Sequence, residues 1–246
     1  MKINKDYHIH SKFSKNNHAK SSIEEIVLQA IDKGLNEIAI TNHGLSHVLY
    51  GFRKKHIPQI KSEIEALNKK YPEIKILFGV EANILSLSGD TDIEKEIIDN
   101  CDIILCGYHL FVKYKSFNDF WNLVVLNRLA KRFGFRKEIQ RKRNTQAIVS
   151  ALNNNKMDIL THPGDKLIVD IEEIAKAAEK NNVILEINDS HTHLNTDEIN
   201  ICKNYEVKFA INSDSHIKDT VGSFESGLER AINAELDLEK IVNLKI

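Results

Sequence analysis

Seven short runs rich in aliphatic and β-branched residues punctuate the chain, and their spacing restricts its fold more than any other feature. They fall at 5–10 (KDYHIH), 37–42 (EIAITN), 75–81 (KILFGVE), 102–109 (DIILCGYH), 158–162 (DILTH), 183–188 (VILEIN) and 207–214 (VKFAINSD). Segments with apolar residues at helical spacing lie between several of them. The clearest, 21–34, puts Ile23, Ile26, Val27, Ala30 and Ile31 on one face and reaches Gly34, a suitable helix stop. The pattern returns at 57–71, 170–182 and 224–235. Strands that alternate with helices pair in parallel through right-handed crossovers. Seven of them in 246 residues predict a single α/β domain, closed or nearly closed into a barrel. No glycine-rich phosphate loop of the Rossmann or P-loop type is present.

The ends of these runs carry the chemistry. In a strand, residues two apart share a face, so the H-x-H of the first run aims His8 and His10 at one point. The second run leads into His43, the third ends in Glu81, the fourth in His109 and the fifth in His162. The seventh carries Asp214 and is followed by His216. Barrel enzymes build their sites at the carboxyl ends of the strands. Six of seven runs thus offer a metal-competent side chain on the predicted active face, and together they predict a metal site. His18, in the loop after the first run, is a ninth candidate ligand. Nine ligands suit two or three ions with a carboxylate shared between two of them. The imidazole and carboxylate mixture suits Zn, Mn or Fe.

Composition removes other classes. A formal net charge of −1 gives no general attraction to nucleic acid or membrane surfaces. No apolar run approaches spanning length, and MKINKDYHIH lacks a signal-peptide core. Cys101, Cys106 and Cys202 have no C-x-x-C spacing and read as buried, reduced thiols, so a cytoplasmic protein is expected. Nothing in the pattern specifies an oligomeric state.

DYHIHS, ITNHG, GVEANI, GYH, THPG and NSDSH, in this order, resemble the PHP family, named for polymerase and histidinol phosphatase. The resemblance runs from about residue 5 to 235 and is closest to short, stand-alone bacterial members of phosphatase type. NTQAI (144–148), THPG (161–164) and LEIND (185–189) resemble that subgroup in particular. It implies a distorted (β/α)7 TIM-like barrel over residues 1–246 and three divalent metal ions. His8, His10, Glu81 and Asp214 would hold one ion. Glu81 would bridge to a second, completed by His109 and His162, while His18, His43 and His216 would hold the third. Glu81, Asp214 and His216 are then the expected catalytic residues. Asn42 departs from the family, which usually has Asp before the histidine.

Three divalent ions offset by two carboxylates leave a strongly positive centre, which favours a phosphate monoester dianion over a neutral amide. The expected reaction is hydrolysis of a small phosphorylated substrate, such as histidinol phosphate or a nucleotide, by in-line attack of a hydroxide bridging the ions. A phosphodiesterase or nuclease is one alternative. An amidohydrolase-type metal hydrolase is another, since those enzymes also open with H-x-H, although many bridge their metals with a strand lysine. A metal-holding module without activity would be expected to have lost ligands, and all nine positions are filled.

The stretch 111–143 is longer than the resembled subgroup has here, and reads as a basic helical insertion. It holds ten lysines and arginines against Asp119 and Glu138, and the single tryptophan, Trp121. It is either a solvated helical pair covering the barrel or a basic lid over the substrate, with Arg136 a candidate contact. A polynucleotide would fit such a lid as well. His47, His191 and His193 are further candidate substrate contacts, and Asp6 and Glu186 are expected to orient ligands.

Overall fold

In the computed structural model, which describes residues 2–245, the seven runs form seven parallel strands. They are β1 (Lys5–Ile9), β2 (Glu37–Ile40), β3 (Lys75–Asn83), β4 (Ile103–Gly107), β5 (Ile159–Leu160), β6 (Ile184–Asn188) and β7 (Phe209–Asn212). Each strand pairs with the next in chain order. A parallel bridge between Ile9 and Ser215 brings the first strand to the last, so the sheet is nearly closed into a barrel. The chain is a single α/β domain of TIM-like type.

The strands are shorter than the sequence runs because the site residues leave the ladder. His162 and Asp214 take positive φ angles, 29° and 52°, which no pleated strand continues through. β3 runs past Glu81 to Asn83, and a bridge from His43 to Glu81 extends β2 beside it. The β1–β2 register shifts between Asp6 and Ile9, a bulge at the H-x-H segment.

The crossovers begin with α1 (Ile23–Asp32), α2 (Ile57–Lys70) and α3 (Lys95–Asn100). Next come α4, a helical run over 117–133 whose Trp121–Leu126 turn is π-helical, and α5 (Lys137–Asn154). They end with α6 (Ile171–Asn181), α7 (Thr196–Cys202) and α8 (Glu225–Asn233). α1 starts on a capping box in which Ser22 and Glu25 satisfy each other's backbone N–H groups. Its buried Ile23, Ile26, Val27 and Ala30 are four of the five expected residues, with Ile31 half-buried.

Inside the barrel, Tyr7, Ala39, Leu105, Ile159 and Ala210 form a small apolar cluster. Period-two alternation then stacks Ile184, Glu186 and Asn188 along β6, and Ala210, Asn212 and Asp214 along and beyond β7. An apolar plug, a polar layer and the strand-end ligands therefore follow one another along the axis. Cys106 and Cys202 are buried and Cys101 half-buried, all three free. Among the described residues no helix is long and apolar enough to cross a membrane.

Candidate metal centre

Glu81 lies fully buried at the axis, with imidazoles on every side. His109 Nε2 and His162 Nε2 lie 2.9 and 3.0 Å from its Oε1. His43 Nδ1, His8 Nε2 and His10 Nε2 lie 2.8, 3.3 and 3.6 Å from its Oε2. Asp214 Oδ1 is 3.4 Å from His8 Nε2 and 3.2 Å from His10 Nε2. A chain of ring nitrogens continues outward: His18 Nε2 is 3.2 Å from His43 Nε2 and 2.9 Å from His216 Nε2. All nine expected ligands are thus in one cluster.

The donor set fits divalent cations. Glu81 Oε2 and His43 Nδ1 are 2.8 Å apart, yet neither makes an aligned hydrogen bond, so both are orphaned buried polar atoms. Four groups have donor atoms within 4.8 Å of one another: His8, His10 and Glu81; His43, Glu81 and His109; His10, His43 and His216; His162, His191 and Asp214. Burial opposes ionisation of Glu81, but His109, His8 and His43 override it and hold its carboxyl well below the usual range. Asp214 is likewise held low against burial by His8, His10 and His191. Burial, with His216 and His43 beside it, lowers His18 to about 4. Burial brings His109 to about 4 despite Glu81. Ionised carboxylates beside neutral imidazoles such as His18 and His109 are the states that a divalent cation requires. For His8 burial is outweighed by Asp214, Glu81 and Glu186, and for His162 by Glu81, which raise both imidazoles, so a cation binding there displaces protons.

A surrounding layer fixes these rings. His8 Nδ1 donates to Glu186 Oε1 at 2.8 Å, which leaves Nε2 facing the centre. Glu186 also accepts from the His162 N–H, Asn188 Nδ2 and Asn212 Nδ2. His216 Nδ1 donates to the Asp214 carbonyl at 2.9 Å. Asn42 Oδ1 accepts from the Ser11 N–H at 2.7 Å and from Ser14 Oγ at 3.0 Å, bracing the turn after His10. Asp6 differs from expectation: at the bulge it accepts from the backbone of His8, Ser213 and Gly222 and touches no ligand ring. It secures the strand ends instead, and burial raises its pKa to about 6.

A cavity of about 300 Å³ opens above the cluster. His47 lines it, stacked on His43, and so does His191, whose Nε2 is 3.4 Å from Asp214 Oδ2. His191 therefore stands among potential metal ligands as well as at the rim. His193 is directed elsewhere, with Nδ1 3.1 Å from both Glu198 oxygens. Arg136 is exposed in the turn between α4 and α5, with its guanidinium over Phe135, and does not line the cavity. Three supporting residues carried no signal in the sequence. Tyr50 stacks on His18 at 3.7 Å, and Thr161 Oγ1 donates to Glu81 Oε1 at 3.1 Å. Asp92 accepts from the Asn83 and Ser46 backbone, tying the His43 loop to β3.

Residues 6–190 match the family described as PHP domain. A Thermoanaerobacter protein named as a probable phosphatase is 30% identical over 100% of this chain and 92% of its own length. One from Proteus mirabilis, also named as a probable phosphatase, is 29% identical over 97% of this chain and 89% of its own. Among solved structures, Lactococcus lactis histidinol phosphate phosphatase, complexed with zinc, L-histidinol and phosphate, superposes with a TM-score of 0.66. That likeness, at 19% identity, covers 96% of this chain and 94% of the other and bears on the fold.

Proposed function

The chain belongs to the PHP domain family and is a hydrolase of phosphatase type, and from that premise we propose that it cleaves small phosphate monoesters at a centre of three divalent ions. The observation that carries this reading is Glu81, whose two oxygens are shared among five imidazoles in a water-poor interior. His8, His10, Glu81 and Asp214 would hold one ion. Glu81 with His109 and His162 would hold a second, and His18, His43 and His216 a third. Such ions would polarise phosphoryl oxygens and bring the ionisation of water toward neutral pH.

The protein's own groups supply position and field. Glu186 fixes the tautomer of His8, and the Asp214 carbonyl does the same for His216. Glu81 and Asp214, only two carboxylates among seven further ligands, leave the loaded site cationic, which selects a dianionic ester over an amide. His191 at the rim is placed to hold a proton near a departing oxygen. The 300 Å³ cavity suits a small ester better than a polynucleotide strand.

The test is phosphate release from histidinol phosphate, sugar phosphates and mononucleotides by manganese- or zinc-reconstituted protein, with bound metal counted in the same samples. Release together with three ions per chain is expected. Three bound ions with release from no monoester would overturn the reading and point to diesters.

A further inference from the structure

A second cavity, of about 450 Å³, lies beside the metal centre under α4. Leu110, Phe111 and Lys166 line both cavities, so the two adjoin. Its floor is apolar: Tyr114, Phe120 and Val124 line it, and Phe120 remains 39% exposed with no side chain filling the space. Its rim is cationic. Arg128, Lys131 and Arg132 face it, Lys166 also lines it with its Nζ paired to Asp165 Oδ2 at 2.6 Å, and among the described residues no carboxylate lines it. Phe120, Val124, Arg128 and Lys131 recur at helical spacing, so one face of α4 supplies both floor and rim.

This wall is preformed. Asn144 Nδ2 donates to Asn127 Oδ1 at 2.8 Å and to the Ile168 carbonyl at 2.9 Å, while Gln140 Nε2 donates to Asn144 Oδ1 at 2.7 Å. Asn127 Nδ2 reaches the Lys166 carbonyl at 2.7 Å. A buried amide network of this kind locks α4 against α5 and the loop after β5. Phe111, at the junction of the cavities, holds φ at 61°, and its carbonyl accepts from the Val48 N–H at 2.8 Å. That strained, pinned backbone holds Phe111, 58% exposed, where the two cavities adjoin.

We propose that this cavity receives the leaving group, and that the enzyme selects monoesters whose alcohol combines an apolar ring system with a second anionic group. The inference rests on the phosphatase reading and gives it a substrate class. The scissile phosphate would lie over the metal centre, the ring body against Phe120 and Val124, and the second anion against Arg128 and Lys131. It also gives the basic character of α4 a role that a purely solvated helix would not have.

The test compares kcat/KM for phenyl phosphate, naphthyl phosphate and a carboxynaphthyl phosphate, whose phenolic leaving groups are of similar acidity, with manganese-loaded protein. The larger ring system is expected to raise it about tenfold by burial, and the carboxylate about threefold more by pairing with the exposed Arg128 and Lys131. In R128E/K131E the ratio of carboxynaphthyl to naphthyl ester should collapse to about one or below. Calorimetry of hydroxynaphthoate with chelator-treated protein gives a readout independent of turnover. Binding is expected, with its loss in R128E/K131E. Ratios within about twofold of one across the three esters, or no hydroxynaphthoate binding, overturn the inference. Hydroxynaphthoate binding with release from none of the esters instead sinks the phosphatase reading and leaves the selectivity of the pocket standing.

Discussion

Glu81 concentrates the charge requirement of the centre in one side chain, because every imidazole of the inner cluster approaches one of its oxygens. Glu81→Gln keeps the volume and removes the charge. Bound metal should fall, and kcat/KM with it, on the order of a thousandfold; unchanged turnover would refute the bridging role. Glu186→Gln acts at one remove. Its carboxylate accepts from four donors, and an amide nitrogen would oppose one of them. Metal affinity is expected to drop about 10–100-fold, with activity recovered at raised metal concentration. A metal titration superimposable on that of the native protein would show the contact to be dispensable. The inner residues were legible because strand ends and period-two spacing announce them, and Glu186 shares its face with strand-end groups. Tyr50, Thr161 and Asp92 were not, since stacking on His18 or clamping Asn83 leaves no trace in local spacing. His193 follows β6 on the same side as His191, but in a loop, where alternation no longer governs direction, and Glu198 captures its ring.

At the scale of elements, the runs located every strand of the barrel but overstated several lengths. β5 has only two paired residues, Ile159 and Leu160, because His162 must leave the ladder to reach Glu81. Such short strands depend on close neighbours, and Gly107 shows how close. A Cβ there would overlap Thr161 Oγ1 and stand 3.1 Å from His162 Cε1. Gly107→Ala should therefore cost about 1–3 kcal/mol in thermal or urea unfolding and weaken metal retention through displaced Thr161 and His162. Adding Thr161→Ala removes the obstructing hydroxyl, so the double variant should regain part of the stability. Strictly additive losses would show that the two residues do not compete for space. The 111–143 segment was legible as basic and helical. Its amide network was not, because Asn127, Gln140 and Asn144 look like solvated helix residues until α4 and α5 meet.

For the whole molecule, the separation of layers decides what metal removal does. The apolar cluster of Tyr7, Ala39, Leu105, Ile159 and Ala210 and the helix-covered core hold the barrel without help from the ligands. The ligands are the opposite case: a cluster of imidazole nitrogens around two carboxylates, several without hydrogen-bond partners, gains its compensation from cations. Chelation should thus leave far-UV circular dichroism unchanged at room temperature while lowering Tm. An ion held at a hundredfold excess over its dissociation constant contributes about 2.7 kcal/mol. For a domain of this size that corresponds to roughly 5–10 °C per ion. Titrating metal back should restore Tm in step with activity. Cooperative unfolding on chelation at room temperature would mean that the ions, rather than the apolar layers, hold the barrel closed between Ile9 and Ser215. An unmoved Tm would mean that the cluster is satisfied without them, which the orphaned Glu81 and His43 atoms argue against.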